Sequence, residues 1–427
     1  MKKILYIILD GLSDVPIKAF QKKTPLEAAQ TPHLDKLASI AKLGIVYPVG
    51  KRIAPESDTA VISLLGYDVH EYYTGRGPLE CFAEGVEVHD GDLALRVNFS
   101  TVKDDGKTID DRRAGRDLSD DEAKTLAQEI NAKVILSSAT FEFKNTVGHR
   151  GVLTIRCVRT RLSSWITNTD PAYERVGIFG VVRTHCGKTV LESKPMSGHK
   201  DSIQAKEAAL LLNEFMQKSH EVLAASSVNQ QRIQQGKLPA NILLCRDAGS
   251  RLPKFPSLQE ITGFRFGSFV EMPVERGIAL LTGMQGITLP SKMDDRELDY
   301  GILAKVACEE LKHFDGLYVH IKDPDEAAHD GDCEKKKESI EAIDAFFIGK
   351  LIPALDIDNT VVAITADHTT ACISRSHTAD PVPLLVCGAG IQPDGISRFS
   401  ERAARSGSLK SRLGRDVMEL LLQHARP

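Results

Sequence analysis

The sequence carries little excess charge. A net charge of -4 provides no basic footprint of the kind that general nucleic-acid binding needs. An anionic ligand would have to be held by local arginine clusters. Long apolar runs are also missing, and none reaches the roughly 20 residues that a helix needs to span a bilayer. Met1-Lys2-Lys3 leads straight into a run ending in Asp10. That run is too short for a signal-peptide core, so a cytoplasmic location is expected, with no membrane partner. No CxxC pair occurs among the eight cysteines, which reads as reduced thiols buried in the core. There is no Gly-rich nucleotide loop and no internal repeat. What remains is ordinary for a globular protein: 42% hydrophobic and 26% charged residues over 427 positions. That length fits one large α/β unit with an insertion, or two domains.

Short apolar runs ending in acidic residues or histidines stand out. Asp10 closes Ile4 to Leu9, and Asp367 and His368 close Val361 to Ala366. Asp325 and His329 follow Leu317 to Ile321, and His377 precedes Val382 to Cys387. Such runs read as strands buried on both faces of a parallel sheet, and these sheets bind ligands at the carboxyl ends of their strands. Asp323-Pro324-Asp325-Glu326 reads as a helix start, with Asp323 as N-cap. Asp325 and His329 then lie one turn apart on one helix face and can share an ion. Asp367 and His368 are adjacent, can diverge, and can serve neighbouring ions. A mixed Asp, His and Ser hydroxyl set suits Zn2+ or Mn2+; wholly oxygen ligation would favour Mg2+.

Ser57 opens a helix within Pro55-Glu56-Ser57-Asp58-Thr59. Helix N-termini favour anions, so Ser57 is either a plain N-cap or a metal-activated nucleophile that attacks phosphorus. The Thr59 hydroxyl, inside the first turn, is expected to be spent on the backbone. Residues 1–75 and 176–427 read as a discontinuous core domain. Residues 76–175 read as an inserted α+β domain, with strands at Leu93 to Val102, Thr140 to Phe143 and Gly151 to Val158. Ser119 to Ala132 reads as an amphipathic helix between them. Asn241 to Cys245 has the apolar-strand style of the core and is assigned to it. Asn229 to Gln235 reads as a polar helix end.

With these residues in place, the chain resembles the archaeal-type 2,3-bisphosphoglycerate-independent phosphoglycerate mutases of the alkaline phosphatase superfamily. The resemblance runs nearly full length. It includes Ile8 to Gly11, Thr24-Pro25-Leu26-Glu27-Ala28, Ser57-Asp58-Thr59-Ala60, Leu65 to Asp68 and Gly75-Arg76-Gly77. It continues through Arg96-Val97-Asn98-Phe99, Asp111 to Arg116 and Gly148-His149-Arg150. Beyond these come His320-Ile321-Lys322, His329-Asp330-Gly331, Asp367-His368-Thr369-Thr370 and His377 to Pro383.

The resemblance implies an α/β fold with an alkaline-phosphatase-like, mostly parallel sheet flanked by helices and a smaller inserted α+β domain. It implies two divalent ions. Asp325, His329 and His377 would hold one; Asp10, Ser57, Asp367 and His368 would hold the other. Mn2+ is the foremost choice, with Co2+, Zn2+ and Mg2+ as alternatives. The implied reaction interconverts 3-phosphoglycerate and 2-phosphoglycerate in glycolysis and gluconeogenesis, through a phosphoserine and without 2,3-bisphosphoglycerate. The glycerate must be retained and water excluded.

Arginine suits a substrate bearing phosphate and carboxylate, because its planar fork binds either group bidentately. Arg112, Arg113 and Arg116 share one short segment of the insertion, flanked by Arg76 and Arg150, so the insertion reads as a lid. Lys322 is expected at the phosphate, His149 as acid–base for the glycerate hydroxyl, and Asp170 facing the site. Two residues depart from the family pattern: Glu56 stands where Gly is usual, and Val69 where Pro is frequent. A Glu beside the nucleophile adds bulk and negative charge near an anion. Three competing readings share these motifs: a phosphomonoesterase, a homoserine-kinase-like phosphotransferase, and a metal-binding protein inactivated by Glu56. Oligomeric state has no signal in the sequence.

Overall fold

The computed structural model describes residues 2–183, 187–290, 293 and 295–426. The chain forms two compact units, one running up to Tyr72 and resuming at Lys254, the other Tyr73–Pro253.

The first unit is built on an eight-stranded sheet. Its spatial order is Gln285–Gly286, Phe266–Phe269, Gly316–Ile321, Lys3–Leu9, Thr360–Thr365, Val382–Gly388, Ala41–Tyr47 and Lys410–Leu413. Neighbouring strands are parallel except for Val382–Gly388, which runs against both of its neighbours. The three central strands show why their sequences are continuously apolar: Gly316–Ile321 and Thr360–Thr365 are buried along their whole length, and so is Ile4 to Leu9. Each fully buried aliphatic side chain there contributes about 1.5–3 kcal/mol of apolar burial.

Register then places the functional residues. Leu9 pairs with Ile321, and Ile8 pairs with Thr365. Carried one or two residues further, this register sets Asp10, Lys322 and Asp367 side by side at the carboxyl edge. The reversed strand Val382–Gly388 begins where its parallel neighbours end. Residues preceding it, His377 among them, therefore come to the same edge.

The second unit carries a five-stranded antiparallel sheet. Leu93–Val102 lies between Arg150–Cys157 and Ile242–Gly249, with Ala139–Asn145 and Ile109–Asp111 outside. The helices Asp120–Lys133 and Ile203–Ala224 bury Leu126, Ile130, Leu212 and Phe215 in the same core as Phe99 and Phe143. The expected strands and helix appear in place. The expected C-terminal limit of the insertion at 175 does not hold, because the unit extends to Pro253. Ile242–Gly249, which contains most of the Asn241 to Cys245 run assigned from sequence to the core domain, hydrogen-bonds to Leu93–Val102 instead. The stretch 229–235 is a polar helix end as expected, the C-terminal part of Ser227–Gln234 with Gln235 as its C-cap, and it is anchored to the unit. Asn229 and Arg232 on Ser227–Gln234 are buried, and the Asn229 amide bonds the Leu223 and Ala240 carbonyls.

All seven described cysteines are free, four of them buried and three half-buried; Cys186 lies outside the described residues. Among the described residues, no helix is long and apolar enough to cross a membrane.

Candidate metal centre and arginine cluster

Ser57 is the first residue of the helix Ser57–Leu64, and Glu56 occupies the N-cap position without a side-chain cap bond. The plain N-cap reading of Ser57 therefore does not hold. Its hydroxyl lies 3.1 Å from His368 Nε2 and is almost fully buried. Thr59 Oγ1 donates to the Glu56 carbonyl at 2.9 Å, which removes it as a rival nucleophile.

His368 Nε2 is a focus of donor atoms. Ser57 Oγ is 3.1 Å away, Asp367 Oδ2 3.1 Å and Asp10 Oδ1 3.4 Å. A second group lies beside it. His329 Nε2 and His377 Nε2 face each other at 3.1 Å, and Asp325 Oδ1 is 3.4 Å from the first and 3.7 Å from the second. Metal–ligand bonds of about 2.0–2.1 Å set tetrahedral donor atoms about 3.3–3.4 Å apart. The separations given, 3.1–3.4 Å in the first group and 3.1–3.7 Å in the second, bracket that spacing.

Hydrogen bonding points the same way. His377 Nδ1 is 2.8 Å from the Pro55 carbonyl and His329 Nδ1 is 3.0 Å from the Arg375 carbonyl. Each ring thus spends its N–H on a carbonyl and turns a lone pair toward the other ring, an arrangement that a cation relieves. Asp10 Oδ1 and Asp367 Oδ2 are buried and make no well-formed hydrogen bond among the described residues; the nearest partner of each is the His368 imidazole, at 3.4 and 3.1 Å, so both keep lone-pair capacity that a divalent cation would use. The residues present fit a pair of divalent cations.

Thr370 links the two groups. Its hydroxyl donates to Asp325 Oδ1 at 2.7 Å and meets His368 Nδ1 at 2.9 Å, leaving His368 Nε2 to face Asp10, Asp367 and Ser57. Gly11 is required here by space. At φ +58° it donates its N–H to Asp367 Oδ1, and a Cβ would fall 2.7 Å from both Asp325 Oδ1 and Thr370 Oγ1.

The electrostatics are those of a dense, mostly buried charge cluster, with His329 exposed. Burial would lower the His368 pKa, but the Asp367, Asp10 and Asp325 carboxylates outweigh it and raise it to about 9. Burial pulls His377 below its ordinary value, and neighbouring His368 adds to this. Burial opposes ionisation of Asp325, yet Lys322 and the three histidines hold its pKa well below the usual range. The Lys322 ammonium lies 2.7 Å from both Asp10 Oδ2 and Asp325 Oδ2. Asp323 does not cap its helix; the N-cap is Lys322, and Asp323 accepts the Tyr300 hydroxyl at 2.7 Å. Glu56 lies beside His377, with Oε1 3.8 Å from Nδ1, the ring nitrogen that faces away from His329 and Asp325.

Sequence reasoning assigned no role to His320 or Glu275. His320 Nε2 is 3.1 Å from Asp10 Oδ2 and 3.9 Å from Asp367 Oδ2. Glu275, with Oε2 buried and without a hydrogen-bond partner among the described residues, completes a group with Asp10 and His320. His320 could have been found as the residue two before Lys322 on a strand end. Glu275, inside the helix Pro273–Leu281, had no sequence signal.

In the second unit, Arg112 forms a fork with Asp170: Nε to Oδ1 at 3.0 Å and Nη2 to Oδ2 at 2.5 Å. Arg246 Nη1 reaches the same carboxylate at 3.2 Å, and the Ala172 N–H takes its remaining capacity. Asp170, expected to face the substrate, is fully buried and occupied by these arginines. Asp111 Oδ1 accepts the Arg113 and Gly115 N–H groups and folds the Arg112–Arg116 segment into a tight turn. Ala114, Gly115 and Arg116 all have positive φ. Buried Arg232 pins this turn, bonding the Ala114 and Asp117 carbonyls and the Asp117 and Glu122 carboxylates.

Arg76 and Arg96 both pair with Glu80, whose pKa they pull down to about 2 against its burial. Arg150 adds to that field, and its own pKa is lowered by burial and by Arg96. Burial, then Arg150 and Arg113, lower the His149 pKa to about 4. Arg76, Arg112, Arg113, Arg116, Arg150 and His149 thus belong to one strongly positive field, with Arg96 and Arg246 as members that sequence reasoning passed over.

Residues 38–229 match the family model described as 2,3-bisphosphoglycerate-independent phosphoglycerate mutase. A protein of that name from Aeropyrum pernix is 43% identical over 417 residues, covering 96% of each chain. One from Methanopyrus kandleri is 39% identical over 428 residues, covering 98% of this chain and 96% of its own. Among solved structures, the PH0037 protein from Pyrococcus horikoshii aligns at TM-score 0.79 and 31% identity, covering 99% of this chain and 97% of that one. The cofactor-independent phosphoglycerate mutase from Thermoplasma acidophilum aligns at TM-score 0.64 and 32% identity over all of both chains. The chain belongs to the 2,3-bisphosphoglycerate-independent phosphoglycerate mutases, a family of isomerases.

Proposed function

We propose that this protein interconverts 3-phosphoglycerate and 2-phosphoglycerate without 2,3-bisphosphoglycerate, with Ser57 carrying the phosphoryl group between the two hydroxyls. The observation that carries the reading is the buried Ser57 hydroxyl 3.1 Å from His368 Nε2, within a carboxylate–imidazole set spaced for ligation. Asp325, His329 and His377 would hold one divalent ion; Asp10, Ser57, Asp367 and His368 would hold the other. Mixed nitrogen and oxygen donors favour Mn2+ over Mg2+. Such ions lower the pKa of a ligated hydroxyl and offset phosphate charge.

The chain's own groups do the rest. Ser57 Oγ forms a bond to phosphorus as the ester bond to glycerate breaks, and the second glycerate hydroxyl later reverses the step. Lys322, held between two carboxylates, offsets charge on the phosphoryl oxygens. Arg76, Arg112, Arg113, Arg116 and Arg150 bind the anionic ends of the substrate, and Asp170 holds Arg112 in place. His149 takes the proton of the attacking glycerate hydroxyl and supplies it to the departing one.

An enolase-coupled assay with Mn2+ and no bisphosphoglycerate tests this. Phosphoenolpyruvate should form from 3-phosphoglycerate. Release of inorganic phosphate in place of isomerisation would identify a phosphomonoesterase.

Two titration results are expected. A pKa of about 9 keeps His368 protonated at neutral pH, so ligation must displace its proton. Mn2+ affinity should therefore rise about tenfold per pH unit below 9, with proton release seen by calorimetry in buffers of different ionisation heat. His149, with its pKa lowered to about 4, should be neutral throughout pH 5.5–8 in the free enzyme, an interval of roughly this span around neutrality. Its NMR resonances should be flat there and should begin to titrate when phosphoglycerate binds.

A further inference from the structure

The Thr24–Ala28 motif and the residues after Asp10 have no part in the reaction as described, yet they anchor a buried polar scaffold beneath the centre. Its key member is Lys336, on the helix Cys333–Ala342. The side chain is fully buried, and its ammonium donates to the Ser13 carbonyl at 2.9 Å, the Thr370 carbonyl at 2.8 Å and Asp14 Oδ2 at 3.0 Å. An ammonium has three hydrogens, so its donor capacity is used in full.

The two carbonyls belong to the loops that carry the ligand residues. Ser13 lies three residues past Asp10. Thr370 lies two past His368, and its hydroxyl touches both His368 and Asp325. The Thr370 N–H also bonds the Ser13 carbonyl at 3.1 Å, so the two loops meet directly over the ammonium. Asp14 is fixed in turn. Its carboxylate accepts the Val15 and Cys372 N–H groups. Its own N–H donates to Glu401, whose other oxygen takes the Thr24 hydroxyl at 2.8 Å.

We infer that Lys336 is a positioning residue: it clamps the Asp10 loop to the Asp367–Thr370 loop and thereby sets the spacing of the metal ligands without touching any of them. The inference rests on the two-ion reading above. Small displacements of ligands cost affinity steeply, and partners outside the ligand set are typically worth 10–100-fold in metal binding.

Lys336→Met tests it, read by Mn2+ binding in electron paramagnetic resonance and by kinetics. Mn2+ affinity should fall at least about 10-fold, activity should recover as Mn2+ is raised, and KM for 3-phosphoglycerate should stay within about 2-fold, since the substrate-binding groups keep their own contacts. Because Lys336→Met strands a buried carboxylate, the charge-neutral double variant Lys336→Met with Asp14→Asn is measured alongside it. The double variant should fold and still bind Mn2+ weakly, because the carbonyl clamp is gone. Wild-type affinity in either folded variant would overturn the proposal and show that Lys336 serves only to neutralise Asp14. Failure of the wild-type protein itself to bind Mn2+ would overturn the two-ion reading, and this proposal with it.

Discussion

Ser57→Ala should lower kcat by about 10^4-fold or more, the scale seen when a covalent nucleophile is removed, while the protein still binds Mn2+. The two halves of this expectation have separate causes. The hydroxyl is the nucleophile at this focus, since its rival on the same helix turn, the Thr59 hydroxyl, is tied to the Glu56 carbonyl. Asp10, Asp367 and His368 are untouched by the substitution, and three donors suffice to keep an ion. Enolase-coupled rates and a Mn2+ titration measure the two halves independently. Full activity in Ser57→Ala would remove the phosphoserine from the account.

The second large effect is expected at Asp325. Its carboxylate stands 2.7 Å from Lys322, 3.4 Å from His329, 3.7 Å from His377 and 2.7 Å from the Thr370 hydroxyl. Asp325→Asn keeps the shape and removes the charge that all four face. Bound Mn2+ should drop from two ions to one per chain, and kcat should fall by about 10^3-fold, the several kcal/mol that a metal ion supplies to phosphoryl transfer. Chelation of the wild-type protein should abolish turnover, and added Mn2+ should restore it. Retention of two ions in Asp325→Asn would contradict the grouping of ligands proposed above.

Much of this centre is legible in the sequence. Asp10 and Asp367 end apolar runs because those runs are central strands, and a chain leaving a parallel sheet at its carboxyl edge must turn there. Asp325 and His329 share a helix face by spacing alone. His377 was legible as a residue before a strand, but its arrival at the same edge depends on Val382–Gly388 running opposite to its neighbours, and apolar content carries no direction.

Other features were hidden for related reasons. Ile242 to Cys245, the first half of Ile242–Gly249, is as apolar as the core strands because it too is buried on both faces, so composition could not say which sheet it joins. The boundary of the insertion was misplaced accordingly. Asp170 followed a turn-like Thr-Asp-Pro pattern that fits a cap, a ligand contact or a buried partner of arginine equally well; only packing selects the last. Glu275 and Lys336 are charged residues within helices, where solvent exposure is the usual fate. Their burial follows from tertiary contacts more than 200 residues away in sequence, Glu275 with Asp10 and Lys336 with Asp14. Glu56 was legible as an oddity, and the structure adds that it turns toward His377.

The most direct test is anomalous X-ray diffraction from crystals soaked in Mn2+. The account expects two peaks in the first unit, one touching Asp325, His329 and His377, the other touching Asp10, Asp367, His368 and Ser57 Oγ. A single peak, or peaks that leave Ser57 Oγ without a metal neighbour, would contradict it.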